Sequence, residues 1–127
     1  NDIICIHDAA RPFIKTSYIK NSIDACSEFD GAIIAVPTVD TVKKVDNNLI
    51  KNTINRESLW MAQTPQTFKK GKLLYAIKNS SHLNITDESM LMEEANFKIK
   101  LIEGDQYNFK ITNEIDWELA KFIVEKK

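Results

Sequence analysis

Two short, wholly apolar runs, Ile3-Ile4-Cys5-Ile6 and Ala32-Ile33-Ile34-Ala35-Val36, constrain this chain more than any other feature. Unbroken runs of that length read as strands covered on both faces, the kind found in parallel sheets. Between them the apolar positions Ile19, Ile23, Cys26 and Phe29 recur at helical spacing from about Thr16 or Ser17, and Gly31 is placed to stop the helix. Strand, helix and strand in that order make a βαβ unit, so the two strands should run parallel and the expected fold class is α/β. A strand buried on both faces needs neighbours on both sides. Nothing precedes Ile3 except Asn1 and Asp2, so the chain reads as the C-terminal part of a larger domain.

The stretch from Pro37 to Arg56 differs in kind. Thr41–Val45 and Leu49–Ile54 are short extended segments joined by Asp46-Asn47-Asn48, which is hairpin turn chemistry. With too few apolar residues to bury both faces, the hairpin should project from the domain, as an arm or a piece of subunit interface. Leu59–Phe68 reads as extended and carries Gln63-Thr64-Pro65-Gln66. Lys70–Asn79 and Asp87–Ala95 read as helices, the second with Thr86 as N-cap. Phe97–Ile102 and Asn108–Ile111 read as strands. Asn113–Glu125 is a closing helix with Ile115, Leu119, Phe122 and Ile123 expected inward.

Charge narrows the partners. Seventeen basic residues against eighteen acidic ones leave a net charge of −1, which argues against nucleic-acid binding driven by a bulk positive field. No apolar run approaches the roughly 20 residues of a membrane span. Cys5 and Cys26 are too few for a disulfide framework and read as reduced core residues, so a cytoplasmic protein is expected. The three glycines are scattered, and no Gly-rich phosphate loop is present.

All but two of the basic residues are lysine; the exceptions are Arg11 and Arg56. A guanidinium grips phosphate bidentately as lysine cannot. Arg11 lies just past the carboxyl end of a buried strand, where open α/β sheets bind ligands; its other reading is a cap on local carbonyls. Arg56 closes the hairpin and reads either as an anion ligand or as half of a surface ion pair. Asp8, at the same strand edge as Arg11, can hold a sugar hydroxyl or a divalent cation, or cap a turn. His7 reads as a satisfied core histidine and His82 as surface. Lys110, between apolar residues, lies either on a solvated strand face or in a site.

Taken in order, His7-Asp8-Ala9-Ala10-Arg11-Pro12, Asp40-Thr41-Val42-Lys43, Ala62-Gln63-Thr64-Pro65-Gln66, Thr86-Asp87-Glu88-Ser89 and Asn108-Phe109-Lys110-Ile111-Thr112 resemble the C-terminal half of the 2-C-methyl-D-erythritol 4-phosphate cytidylyltransferase family, from about Asp2 onward. The resemblance implies a Rossmann-like nucleotidyltransferase domain whose β-arm, here Pro37–Arg56, reaches across a homodimer. It implies a reaction of CTP with a polyol phosphate, with Mg²⁺, giving a CDP-polyol and pyrophosphate for non-mevalonate isoprenoid precursor synthesis. Carried over by position, Arg56 and Lys110 would orient the substrate phosphate. Asp8, Arg11, Thr41 and Thr86 would surround the polyol phosphate, with Thr64 beside them. Arg56 and Thr41 would then serve the partner's site, and the triphosphate-binding part would lie outside this chain. Ribitol-5-phosphate cytidylyltransferase shares most of these motifs and is the alternative enzyme. A truncated module that dimerises without catalysis is the alternative of another class.

Overall fold

The computed structural model describes residues 2–80 and 88–126. Its main sheet has four strands: β1 (Ile3–Ile6), β2 (Gly31–Pro37), β5 (Trp60–Lys69) and β6 (Ile99–Glu103), in the order β1-β5-β2-β6. β5 is antiparallel to both β1 and β2, and β6 is parallel to β2. β1 and β2 therefore run the same way, as the βαβ pattern requires, with β5 inserted between them.

Helix α1 (Thr16–Ala25) covers one face of the sheet, and α2 (Lys70–Lys78) with α3 (Glu88–Glu94) covers the other. Adjacent residues of β5 show why. Phe68 faces α2 and α3, where it is buried with Leu73, Ala76, Leu91 and Met92. Thr67 faces α1, where its hydroxyl lies 2.7 Å from that of the buried Ser22. Gly31, expected to stop α1, instead begins β2, and α1 ends six residues earlier. A side chain at Gly31 would meet Phe68 Cδ1 at 2.5 Å and the Thr67 carbonyl oxygen at 2.8 Å, so the glycine is needed for close strand approach.

The arm forms as its sequence indicates. Among the described residues, β3 (Val42–Asp46) and β4 (Leu49–Ile54) pair only with each other, in a separate two-stranded sheet. Asn47 and Asn48 both have positive φ (49° and 65°), the left-handed pair that a tight hairpin turn of matching twist requires.

Four further expectations change. Among the described residues β1 pairs with β5 alone, which makes it an edge strand, half exposed. Cys5, on that edge, is exposed rather than in the core, whereas Cys26 is buried as expected. Asn108–Ile111 is not a strand: Gln106–Asn108 is a 3₁₀ turn, and the chain runs on extended without a ladder to α4 (Glu114–Lys126). The buried positions of α4 are Ala120 and Ile123, while Ile115, Leu119 and Phe122 are exposed. The helix is apolar on several sides, and the 3.6-residue period alone did not select the face. Among the described residues, no helix is long and apolar enough to cross a membrane.

Candidate active site

The site forms where β1 stops and β5 continues past it. Ile6 is the last residue of β1 and pairs with Gln66. Beyond that point β5 bulges: β2 advances two residues, Ile33 to Ala35, while β5 advances four, Gln66 to Ala62. The extra residues turn Gln63 and Thr64 toward the loop that follows β1, as bulges beside ligand sites do. Proline is tolerated inside this central strand because Pro65 lies within the bulge, where no ladder hydrogen bond is needed.

That loop is fixed from below. Thr64 Oγ1 accepts from the Asp8 amide at 3.0 Å and lies 2.9 Å from His7 Nδ1. The other ring nitrogen, Nε2, is 2.9 Å from the Arg11 carbonyl oxygen. A carbonyl can only accept, so Nε2 carries the proton and Nδ1 takes the Thr64 hydroxyl proton when the ring is neutral. His7 is thus the satisfied structural histidine expected, and the Thr64 hydroxyl is committed to holding Asp8.

Above this floor, Asp8, Arg11 and Lys110 converge. Arg11 Nε donates to Asp8 Oδ2 at 3.1 Å, and Arg11 Nη1 donates to the Asn108 carbonyl oxygen at 2.9 Å. Lys110 Nζ lies 4.0 Å from the same Asp8 oxygen. Two of the five guanidinium N–H groups are occupied in these bonds, which leaves others for a ligand. The Lys110 side chain is half exposed, so its ammonium is free to turn to an anion. These residues line a polar cleft of about 280 Å³, together with Thr64, Gln66 and Glu88. A larger hollow of about 760 Å³ lies at the start of β1, between Asp2, Lys69, Lys72 and Tyr75. It contains none of the motif residues.

The turn before Lys110 is anchored to two places. Asp105 caps it, accepting from Tyr107 N at 2.8 Å, and binds Tyr18 and Lys15 at the start of α1 at 2.7 and 2.9 Å. Burial alone would raise the Asp105 carboxyl, but the hydrogen bonds from Tyr18, Lys15 and the Tyr107 amide outweigh it and hold the group below its ordinary value. Asn108, fully buried, donates from Nδ2 to the Thr64 carbonyl at 2.8 Å and to Gln63 Oε1 at 3.0 Å. Its Oδ1 is buried with no partner among the described residues, an arrangement that ordinarily costs about 1–3 kcal/mol.

The remaining expected residues fall elsewhere. Thr41 and Arg56 are exposed at the base of the arm and do not line this cleft, and Arg56 Nη1 donates to the Val39 carbonyl rather than to an acidic partner. Thr86, Asp87 and His82 lie outside the described residues. Sequence reading missed Gln63, Gln66 and Asn108 as site builders, although polar residues interrupting an otherwise buried strand at 63–67 were a usable signal. Among the described residues, no three His, Cys, Asp or Glu lie together as a metal site. The two carboxylates of the cleft are Asp8 and Glu88, and Asp8 is engaged by Arg11. Among the described residues, this pair of carboxylates does not by itself fit a protein-held Mg²⁺.

Comparison with known proteins gives a consistent result. The chain is 40% identical over 126 residues to 2-C-methyl-D-erythritol 4-phosphate cytidylyltransferase of Bacillus licheniformis, covering 98% of this chain and 54% of that one. It is equally identical to a bifunctional IspD/IspF enzyme of Desulfotalea psychrophila, over 99% of this chain and 33% of the relative. The solved structure of the Francisella tularensis 2-C-methyl-D-erythritol 4-phosphate cytidylyltransferase superposes with a TM-score of 0.84 at 31% identity, over 95% of this chain and 58% of that one. The Thermus thermophilus structure gives 0.87 at 26% identity, over 97% and 62%. The fold is thus that of these nucleotidyltransferases. The chain spans about half the length of most of the relatives it matches, and the expectation that it is the C-terminal part is not borne out by these matches. Because the profile of the family described as IspD, 2-C-methyl-D-erythritol 4-phosphate cytidylyltransferase, matches residues 1–126, the chain belongs to that family.

Proposed function

We propose that this chain supplies the polyol-phosphate side of a cytidylyltransferase site that joins CTP and 2-C-methyl-D-erythritol 4-phosphate, releasing pyrophosphate, in isoprenoid precursor synthesis in the cytoplasm. The observation that carries the reading is the convergence of Asp8, Arg11 and Lys110 on one cleft, with Arg11 Nε 3.1 Å and Lys110 Nζ 4.0 Å from a single Asp8 oxygen. A carboxylate flanked by two cations suits a ligand that carries both hydroxyls and a phosphate. In this reading a phosphate oxygen of the polyol substrate attacks the α-phosphorus of CTP. The new P–O bond forms as the bond to the β-phosphate breaks, and the electron pair leaves with pyrophosphate.

No protein nucleophile is needed. The chain's task is to bring two anions together and hold them in line, so positioning and positive charge carry the catalysis. Asp8 takes a polyol hydroxyl, Lys110 and Arg11 neutralise the substrate phosphate, and Arg56 reaches it from the arm of a second subunit. The triphosphate is bound by the parts of the protein that make up the rest of the relatives' length. Mg²⁺ has no three-ligand site among the described residues, and each of these roles belongs to a side chain of the protein. The exposed apolar residues of the arm, Val45, Leu49 and Ile50, support its role as a dimer contact.

The experiment is pyrophosphate release from CTP by the full-length protein, with 2-C-methyl-D-erythritol 4-phosphate and with D-ribitol 5-phosphate. At least tenfold higher kcat/KM with the methylerythritol substrate is expected. Preference for ribitol 5-phosphate would identify the wall-polymer enzyme, and release with neither would leave only a dimerising module.

A further inference from the structure

We propose that Asn108 is the positioning residue that sets the Lys110 ammonium in the cleft, a role that rests on the functional reading of Lys110 above. The segment carrying Lys110 belongs to no ladder, so strand pairing does not hold it. Its location comes from a few contacts. The Ile111 amide donates to the Ala10 carbonyl at 2.9 Å, and the Phe109 ring packs on Phe13 with centroids 5.9 Å apart. Thr112 donates to Asp116 on the far side and Asp105 caps the preceding turn, while the contacts that tie the segment to the cleft floor converge on Asn108, two residues before the lysine.

Side chain and main chain of Asn108 act on different parts of the site. Its amide nitrogen reaches down to Thr64 and Gln63 in the bulge, and its carbonyl oxygen receives Arg11. The Thr64 carbonyl can only accept, so the amide orientation is fixed: Nδ2 faces the bulge. Gln63 is fixed in the same way, because its Nε2 donates to the Asp105 carbonyl at 3.3 Å and leaves Oε1 for Asn108. A directed chain of amides thus runs from the Asp105 turn through Gln63 to Asn108, and binds the Lys110 segment to the strand that also holds Asp8. Asn108 performs this at a fully buried position with Oδ1 unpartnered. A residue kept for packing alone has no use for that orphaned acceptor, whereas one kept for its two N–H donors must carry it.

The test uses the full-length protein and two variants, Asn108→Ala and the near-isosteric Asn108→Asp, in case the alanine variant fails to fold. Steady-state kinetics are expressed per folded molecule and combined with Lys110→Ala in a double-mutant cycle. Asn108→Asp removes both donors and is expected to lower kcat/KM ten- to a hundredfold, the range that a misplacement of about 1 Å produces. In the Lys110→Ala background the same change is expected to have an effect within about twofold, because the group it positions is gone. Equal losses in both backgrounds, or a lower Tm with unchanged kcat and KM, would overturn the proposal while leaving Lys110 in its role. Unchanged kcat/KM in Lys110→Ala itself would overturn both.

Discussion

Lys110→Ala in the full-length protein is expected to lower kcat/KM by about 10²–10³ while leaving stability nearly untouched. The first half follows from the chemistry: attack of one phosphate on another builds charge that a positioned cation must meet, and removing one such group costs about 3–4 kcal/mol of transition-state stabilisation. The second half follows from the structure. The Lys110 side chain is half exposed, and its ion pair with Asp8 is long, at 4.0 Å. Exposed pairs of that kind contribute about 1 kcal/mol or less. Thermal unfolding together with pyrophosphate release checks both halves. A loss of activity that tracked a loss of folded protein would make Lys110 structural.

Mixing two nearly inactive variants is expected to restore activity. Arg56→Ala and Lys110→Ala each disable the enzyme if both residues meet the substrate phosphate. Arg56 is exposed at the base of the arm, tied to the Val39 carbonyl, and does not line the cleft that contains Lys110. If the arm crosses to a second subunit, a mixed dimer has one site with both defects and one with neither. Half of a randomly reassorted population is mixed and one site in two works there, so about a quarter of wild-type activity should return. Co-expression with distinct tags, or denaturation and joint refolding, prepares the mixture. No recovery would show that Arg56 and Lys110 serve the same subunit's site, whereas wild-type activity of Arg56→Ala on its own would show that Arg56 has no part in it.

The sequence made some elements legible because a local cause dictates them. The arm was readable since Asp46-Asn47-Asn48 favours the left-handed backbone of a tight turn and the flanking residues are too polar to bury. The parallel direction of β1 and β2 was readable from the helix between them. Insertion of β5 between those strands was not, because antiparallel pairing across that distance in the chain leaves no local mark. Nor was the exposure of β1: an apolar strand reads the same whether its neighbours belong to this stretch of chain or not.

For the site, Asp8 and Arg11 were readable from their place at a strand end, and Lys110 only through resemblance. Asn108–Ile111 reads as a strand because its residues alternate in polarity, and what places Lys110 is a buried amide that alternation cannot reveal. Pro65 within Trp60–Lys69 was the overlooked clue. A proline in a central strand marks a bulge, and here that bulge supplies the floor of the cleft.

A structure of the full-length protein with 2-C-methyl-D-erythritol 4-phosphate bound decides whether the Asp8–Arg11–Lys110 cleft is the polyol-phosphate site. A polyol hydroxyl is expected within about 3.2 Å of the Asp8 carboxylate, and the phosphate against Lys110 and against Arg56 of the partner subunit. A ligand seated elsewhere, for instance in the hollow beside Asp2 and Lys72 at the start of β1, with the Asp8–Arg11–Lys110 cleft untouched, would contradict that assignment.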